Sequence, residues 1–327
     1  MHLELLVPGL LTLPGPARAP ALERLLRRGR VRRGERASME AWLQEGFRLP
    51  ALPAGALSVL GSGGEPGDAS WARADPVHLR LLRDRIVIVP ADAVGLTAAE
   101  AEALSAALRA HFSERLDLVV HTTGRWSVRL AGPLALPAMP PLDMAGRPAA
   151  PGGAGDALLT EIQMVLHAHE ANAARESQGQ PPINSLWLWG EGALPKDAHA
   201  TWLSATAGDP LVHGLARAAG MRSRAPSPAA DWLERAPGEG RHLVVLDHLR
   251  APAALGDVQG HAEALAALER EWFAPVLAAL QAGGLGMVTV HVPDGARALW
   301  VETIRGDLRR FWRRPRPLAA WASEGIE

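Results

Sequence analysis

The sequence predicts an α/β protein with a doubly wound, mostly parallel sheet and a smaller inserted α+β subdomain. In the second half of the chain, short apolar runs alternate with helical patterns, which is typical of parallel strands joined by crossover helices. In the first half, a strand, a helix and a strand follow one another as a compact group. We therefore expect a core formed by residues 1–50 and 151–327, and a subdomain formed by residues 70–135.

The core is expected to begin with a short buried strand. The stretch LELLV at 3–7 precedes Pro8 and Gly9, which end the strand. Leucines at helical spacing predict a helix at 20–29, and a second short helix is expected at 37–43. Residues 50–70 are rich in Gly, Pro and Ser, which indicates a loop.

The subdomain pattern begins with the apolar stretch RIVIV at 85–89, a predicted strand. The helix predicted at 97–112 opens with Thr97 and Glu100 in the spacing of a capping box. Residues 125–130 alternate like a half-buried strand. Residues 131–155 are dense in Pro and Gly, which predicts a connector.

Beyond the connector, helical patterns alternate with strand patterns. The predicted helices span 156–179, 209–220 and 261–284, the last bent at Pro275, and the predicted strands span 183–189, 241–247 and 286–292. In the strand at 183–189, Trp187 and Trp189 face one side and the leucines face the other. The basic stretch at 307–317 predicts a solvated terminal helix.

Composition excludes several kinds of chemistry. The chain has 327 residues, no cysteine and a formal net charge of −1. Disulfides, thiolate zinc sites, iron–sulfur clusters and cysteine nucleophiles are therefore excluded. A net charge near zero provides no field that draws nucleic acid or membrane, so neither is an expected partner. The start lacks the basic region and the long apolar run of a signal peptide, so a cytoplasmic location is expected.

Candidate ligand residues lie in two stretches. WARADPVHL at 71–79 carries Arg73, Asp75 and His78, which form either a ligand-binding cluster or an internal salt bridge that opens a strand. Arg175, near the end of the helix predicted at 156–179, could grip a phosphate or carboxylate with two parallel hydrogen bonds, or form a surface ion pair. Gly190 follows the tryptophan strand, where the backbone of an α/β protein approaches ligands.

Candidate metal ligands follow the strand predicted at 241–247. Asp247, His248, Asp257 and His261 all carry metal-capable side chains at the carboxyl end of a strand. The alternative is an irregular loop with a helix cap. The complete phosphate-binding fingerprint is missing from the glycine-rich stretches GSGGEPG and GGAGD, which rules out that reading of them.

Several stretches together resemble archaeal-type cofactor-independent phosphoglycerate mutases of the alkaline-phosphatase-like superfamily. These stretches are residues 84–108, 167–195 and 241–257. Three further stretches resemble a bacterial family described as regulatory proteins of the RpfE type, namely residues 71–80, 161–190 and 309–314. The resemblance implies an alkaline-phosphatase-like core with an inserted subdomain. It also implies two divalent metal ions and a serine nucleophile.

The sequence departs from the mutase pattern at the implied metal site. Gly9 stands where the family has an aspartate, and no serine or threonine follows Thr12 before residue 30. The family's Asp-x-x-x-His loop aligns near Ala253 and Asp257. At the family's Asp-His pair after the last strand, this sequence offers His291 and Asp294. Since a two-metal phosphoryl transfer needs these groups together, we expect the mutase chemistry to be lost.

Three hypotheses follow. The first is a non-catalytic regulatory or binding protein that takes a phosphorylated or carboxylated small molecule and needs no cofactor, with a ligand set of Arg73, Asp75, His78, Arg125, Asn172, Arg175, Asn184, Trp189 and Gly190. The second is a divergent metal-dependent phosphatase or phosphoglycerate mutase that uses Mn²⁺ or another divalent ion, held by Asp247, His248, Asp257, His261 and His291. The third is a scaffold that binds a protein partner through RRFWRR at 309–314.

Overall fold

The computed structural model describes residues 1–13, 15, 17–81, 86–145, 148–149, 156–235 and 238–322. The strands are β1 (His2–Leu6), β2 (Arg30–Gly34), β3 (Trp71–Leu81), β4 (Ile86–Pro90), β5 (Leu118–Thr122), β6 (Arg125–Arg129), β7 (Pro148–Ala149), β8 (Ser185–Gly192), β9 (Ser204–Thr206), β10 (Arg222–Arg224), β11 (Arg241–Val245), β12 (Met287–Val292) and β13 (Ala298–Ile304). The helices are α1 (Pro20–Arg28), α2 (Met39–Gly46), α3 (Ala54–Gly61), α4 (Ala91–Val94), α5 (Ala98–Phe112), α6 (Asp156–His167), α7 (Glu170–Ser177), α8 (Pro210–Ala218), α9 (Ala229–Glu234), α10 (Arg250–Leu255), α11 (Val258–Leu268), α12 (Ala274–Ala282) and α13 (Leu318–Ala322).

The chain divides into two compact units, each with its own sheet. The parallel-sheet unit comprises residues 1–48, 199–208 and 219–327, and the antiparallel-sheet unit comprises residues 49–198 and 209–218. Residues 156–198, expected in the core, therefore belong to the same unit as the predicted subdomain. Alternating apolar patterns identify strands but do not show which sheet a strand joins, so this boundary was not readable from the sequence.

The parallel-sheet unit is built on the strand order β10-β9-β11-β1-β12-β13-β2. The strands from β10 to β12 pair in parallel, and β13 and β2 extend the sheet antiparallel. One face is apolar: Leu3, Leu5, Val288 and Val290 lie in a core with residues of α1, α11 and α12. The expected mixed α/β fold with a mostly parallel sheet is confirmed.

The antiparallel-sheet unit is built around the long strand β3. It pairs antiparallel with β4, β6 and β8. The capping box at Thr97 is present and starts α5, whose apolar face packs on the sheet. The tryptophan strand expected at 183–189 is β8, which joins this sheet and not the doubly wound one.

Three other expectations differ from the structure. The loop expected at 50–70 contains α3, a helix of small residues whose Gly55 and Gly61 lie too close to the neighbouring backbone for any side chain. The helix expected at 156–179 is two helices, because the His169 ring caps α7 by accepting a hydrogen bond from the Ala171 N–H. Between α11 and α12, a π-helical turn at Glu269–Phe273 precedes Pro275, the position of the expected bend.

The chain near the C-terminus does not form the helix expected at 307–317. A 3₁₀ turn spans Arg305–Arg309, and α13 begins only after Pro315 and Pro317. Phe311 and Trp312 are 78% and 67% exposed. No helix in the part of the chain that the structure describes is both long and apolar enough to cross a membrane. Of the other predicted segments, Arg85 and the glycine-rich residues 152–155 lie outside the described residues.

Candidate functional site

The antiparallel sheet has one apolar face and one polar face. Because side chains alternate along a strand, Ala72 and Ala74 of β3 enter the hydrophobic core while Arg73 and Asp75 point to the opposite side. Arg73 lies in register with Ser127 of β6 and Trp189 of β8. The sheet therefore gathers polar side chains from three strands on one surface.

Arg73 and Asp75 form a buried ion pair on this surface. Arg73 Nη2 and Asp75 Oδ1 are 2.8 Å apart, and the two side chains are 1% and 2% exposed. Asp75 Oδ2 accepts a 2.8 Å hydrogen bond from Trp189 Nε1, and Arg73 Nη1 donates to Ser58 Oγ. The internal salt bridge, one of the two alternatives for this stretch, is present, and its groups are satisfied within the protein.

Arg125 is the arginine of this cluster that reaches solvent. Its side chain is 21% exposed and donates two 3.1 Å hydrogen bonds to Asp92 Oδ2, while its Nε lies 3.5 Å from Asp209. Burial alone would lower the pKa of Arg125, but the carboxylates of Asp92, Asp75 and Asp209 outweigh burial and raise it. Arg125 is therefore a permanent cation beside the partly exposed carboxylate of Asp92.

His121 joins two serines on the same surface. Its Nδ1 lies 2.8 Å from Ser62 Oγ and its Nε2 lies 2.8 Å from Ser127 Oγ. Because Ser127 Oγ donates to the Gly55 carbonyl, it accepts from Nε2–H, which leaves Nδ1 to accept from Ser62. Burial and the positive charge of Arg73 lower the pKa of His121 to about 4, although Asp209 opposes this. The ring is therefore neutral at physiological pH.

This pKa makes a pH-dependent contribution to stability. A histidine with a pKa of about 4 when folded and about 6.5 when unfolded stabilises the fold fully above pH 6.5 and progressively less as the pH falls towards 4. We expect the free energy of unfolding by urea to fall less over this range in His121→Gln than in the wild type. The exposed His248→Gln should keep the wild-type slope, and an unchanged slope in His121→Gln would contradict the prediction.

The other predicted ligand residues hold loops together. Asn172 bonds the backbone of Ile183 in both directions, with Oδ1 accepting from N–H and Nδ2 donating to the carbonyl, and Asn184 does the same with Leu79. His78 Nδ1 lies 2.8 Å from the Pro182 carbonyl. These three side chains are occupied by backbone groups within the same unit.

Arg175 is likewise held inside the protein. It is 1% exposed and donates to the Glu100 carboxylate at 3.0 Å and to the carbonyls of Val94 and Pro181. Gly190 has a φ of +58° and donates its N–H to the Pro137 carbonyl, and a Cβ there would lie 2.7 Å from that of Ala54. Neither residue presents a free donor to a ligand.

The carboxyl edge of the parallel sheet is the place where the resemblance implies metal ions. Gly9, just after β1, has a φ of +85°, and a Cβ there would lie 2.6 Å from the Leu249 carbonyl oxygen. Both Asp294 carboxylate oxygens accept from the Gly9 N–H, at 2.8 and 3.1 Å. His261 Nε2 lies 3.0 Å from the Gly9 carbonyl. An aspartate at position 9 would need the backbone to move.

The predicted metal ligands do not meet at this edge. Asp257 caps α11 by accepting from the Gly260 N–H, and His291 Nε2 contacts Glu4 Oε2 at 3.1 Å on the polar face of the sheet. Asp247 and His248 lie in a 3₁₀ turn after β11. Among the described residues, no three His, Asp or Glu side chains form a group that could hold a metal ion. These residues do not fit the two-metal arrangement that the resemblance implies.

Comparison with known proteins identifies relatives for this chain. It is 36% identical to 2,3-bisphosphoglycerate-independent phosphoglycerate mutase 2 of Methanothermobacter thermautotrophicus over 91 residues, which is 25% of this chain and 21% of that protein. It is 27% identical to a probable mutase of the same kind from Geobacter sulfurreducens over 209 residues, 56% of this chain and 51% of that protein. Its relatives are cofactor-independent phosphoglycerate mutases. No family model matches the chain.

A solved structure is similar to this chain in fold. The PH0037 protein from Pyrococcus horikoshii has a TM-score of 0.55 at 16% identity, covering 92% of this chain and 87% of that one. The two chains thus share a fold, here a mixed α/β arrangement with a mostly parallel sheet and an antiparallel sheet. The aligned segments span between 21% and 51% of the length of these two curated relatives.

Several residues of the polar surface were not predicted. Ser58 and Ser62 lie in the stretch expected to be a loop, and His121 belongs to no recognisable motif. Asp209 was expected only as the first residue of the helix at 209–220. Its Oδ1 accepts from the Leu211 N–H and also lies 3.5 Å from Arg73. The available signal was the alternation of β3 and β6, which places Arg73, Asp75, Arg125 and Ser127 on one face.

Proposed function

We propose that this protein is a non-catalytic relative of the phosphoglycerate mutases that binds an acidic metabolite in a regulatory role, as in the RpfE-type family that it resembles. The observation that carries the proposal is the arrangement at Gly9. A mutase-type ligand cannot stand there without a backbone shift, and the carboxylate of Asp294 is hydrogen-bonded to the Gly9 N–H.

The requirements of the mutase reaction support the proposal that this chain lacks the activity. A two-metal phosphoryl transfer needs several anionic ligands on adjacent ions and a nucleophile between them. In this chain, Asp257 caps a helix, His261 bonds to the Gly9 carbonyl and His291 pairs with Glu4. These roles stabilise the fold, which supports an inherited scaffold without the mutase chemistry.

The polar surface of the antiparallel sheet is the proposed ligand site. Arg125 is its solvent-accessible cation, and its partner Asp92 is 34% exposed. A phosphate or carboxylate can therefore replace Asp92 on the guanidinium with two parallel hydrogen bonds. The buried pair Arg73–Asp75 then acts as a support that fixes the position of this edge of the sheet.

The first test is an assay for interconversion of 3- and 2-phosphoglycerate, with Mn²⁺ and with chelator. We expect no turnover in either condition. Turnover that requires Mn²⁺ would refute the non-catalytic proposal and favour the alternative, a divergent metal-dependent mutase or phosphatase with a rebuilt site. Asp257→Ala should then abolish that activity.

The second test measures binding of 3-phosphoglycerate, glycerate and inorganic phosphate by calorimetry. Arg125→Ala should weaken binding by about tenfold or more, because it removes a charge-assisted hydrogen-bond pair. Asp92→Asn should strengthen binding, because it removes the competing carboxylate. Arg129→Ala, at an exposed pair with Asp117, is the matched control and should bind like the wild type. If none of the three compounds binds, the ligand part of the proposal is wrong.

A further inference from the structure

The parallel-sheet unit contains a cleft of about 640 Å³ on the polar face of its sheet. This volume lies within the range of about 300–1,000 Å³ that is typical of small-molecule sites. Neither Gly9 nor Arg125 lines it. Its floor, walls and rim differ in chemistry, and each restricts what can bind.

The floor is a buried carboxylate held between two cationic or polar side chains. Glu4 is 3% exposed, and it accepts from Arg241 Nε at 2.7 Å and contacts His291 Nε2 at 3.1 Å. Arg241 also donates to Thr201 Oγ1 at 2.7 Å. A few fixed polar groups at the base of a cleft are typical of a small-molecule site.

The walls are aromatic. Trp42 and Trp202 stack with ring centroids 5.6 Å apart, and Trp42 lies 5.0 Å from the His291 ring. Trp300 is in register with His291 on the adjacent strand and also lines the cleft. The walls thus offer flat apolar surface to a planar ring.

The rim carries both signs of charge. Arg36 and Arg48 are exposed, line the cleft and form no ion pair with any described residue. Glu35 and Glu45 line the same rim. A ligand that satisfies both kinds of group needs an anionic part for the guanidinium groups and hydroxyl donors for the carboxylates.

We propose that this cleft binds a nucleoside phosphate, with the base against Trp42 and Trp300, the sugar hydroxyls at Glu35 or Glu45 and the phosphate on Arg36 and Arg48. Any of the nucleobases can stack on a tryptophan ring, because every base has a planar π-face. An inorganic anion would leave the aromatic walls unused, and an uncharged nucleoside would leave the arginines unused. A complete nucleotide uses both the aromatic walls and the arginines, which favours it over either part alone.

The test is calorimetric titration of the full-length protein with the four common nucleoside 5′-monophosphates. For the tightest of them, the matching nucleoside and ribose 5-phosphate are titrated separately, and each should bind at least about tenfold more weakly. Trp42→Ala should weaken the nucleotide and the nucleoside alike. Arg48→Ala should weaken the nucleotide and leave the nucleoside unchanged.

Matched controls lie on the exposed C-terminal stretch of the same unit. Trp312→Ala and Arg314→Ala should bind nucleotides like the wild type, as should Arg125→Ala, which tests the other proposed ligand site. Circular dichroism of each variant establishes that it is folded. The proposal is overturned if none of the four nucleotides binds with a Kd below about 1 mM. It is equally overturned if binding survives both Trp42→Ala and Arg48→Ala.

Discussion

Replacing Gly214 with alanine should destabilise the antiparallel-sheet unit by about 4 kcal/mol or more, which is at the upper end of single-residue effects. Gly214 of α8 packs against α3 so closely that a Cβ would overlap the Leu57 carbonyl oxygen, and Gly61 of α3 faces the Pro210 carbonyl in the same way. Backbone atoms cannot move aside as a side chain does, so the two helices would have to separate. Urea unfolding followed by circular dichroism measures the effect.

Gly132→Ala is the matched control for this substitution. It lies in the same unit, has no positive φ, and has nothing within 4 Å of an added Cβ. It should leave the free energy of unfolding unchanged or raise it slightly, because alanine restricts the unfolded chain. A loss below about 1 kcal/mol in Gly214→Ala would mean that the helices are not held at this distance in solution.

Arg73→Met should lower the free energy of unfolding by about 3–5 kcal/mol. Methionine nearly fills the volume but leaves the carboxylate of Asp75 buried without its cation, with Trp189 Nε1–H and the Trp126 N–H as remaining donors. Breaking one partner of a buried pair costs far more than the pair itself contributes. Chemical denaturation at neutral pH is the measurement.

A double variant separates the lost charge from the lost packing. Arg73→Met combined with Asp75→Asn should recover a substantial part of the stability, because position 75 then carries no unpaired buried charge. Arg129→Ala is the surface comparison: its partner Asp117 lies 3.3 Å away and both are more than half exposed. That variant should change stability by less than about 0.5 kcal/mol. Equal effects of Arg73→Met and Arg129→Ala would show that the buried pair is open to water.

The sequence predicts three of the five parallel strands, β1, β11 and β12, because each reads as a short run of mostly apolar residues. It misses β9 and β10, which are only three residues long. It failed at α3, since the helix AGALSVLG contains two glycines and a serine and follows two prolines, which together indicate a loop. It also failed to place β8. Strand alternation fixes which side chains share a face, while the partner strand is decided by contacts distant in sequence, here those with β3.

For the site, the residue types show which side chains are able to bind a ligand or metal. They do not show whether other groups of the protein already bond to those side chains. Arg175 has the side chain that grips phosphates, yet Glu100 and two carbonyls already occupy it. Asp257 has the side chain that binds metals, yet it caps a helix. Glu4, within the first predicted strand, received no role because a lone acidic residue in an apolar run gives no sign of Arg241 and His291, which lie more than 200 positions away in the chain.

Residues 209–218 belong to the antiparallel-sheet unit, although the residues on either side of them belong to the parallel-sheet unit. This arrangement limits how the protein can be divided. The chain leaves the parallel-sheet unit after residue 208, contributes α8 to the other unit, and returns at residue 219. A gene fragment that stops at residue 198 would encode the whole antiparallel sheet yet omit the helix against which Gly61 of α3 is packed. Neither unit corresponds to one uninterrupted stretch of DNA, so recombination that exchanges contiguous segments cannot transfer either of them intact.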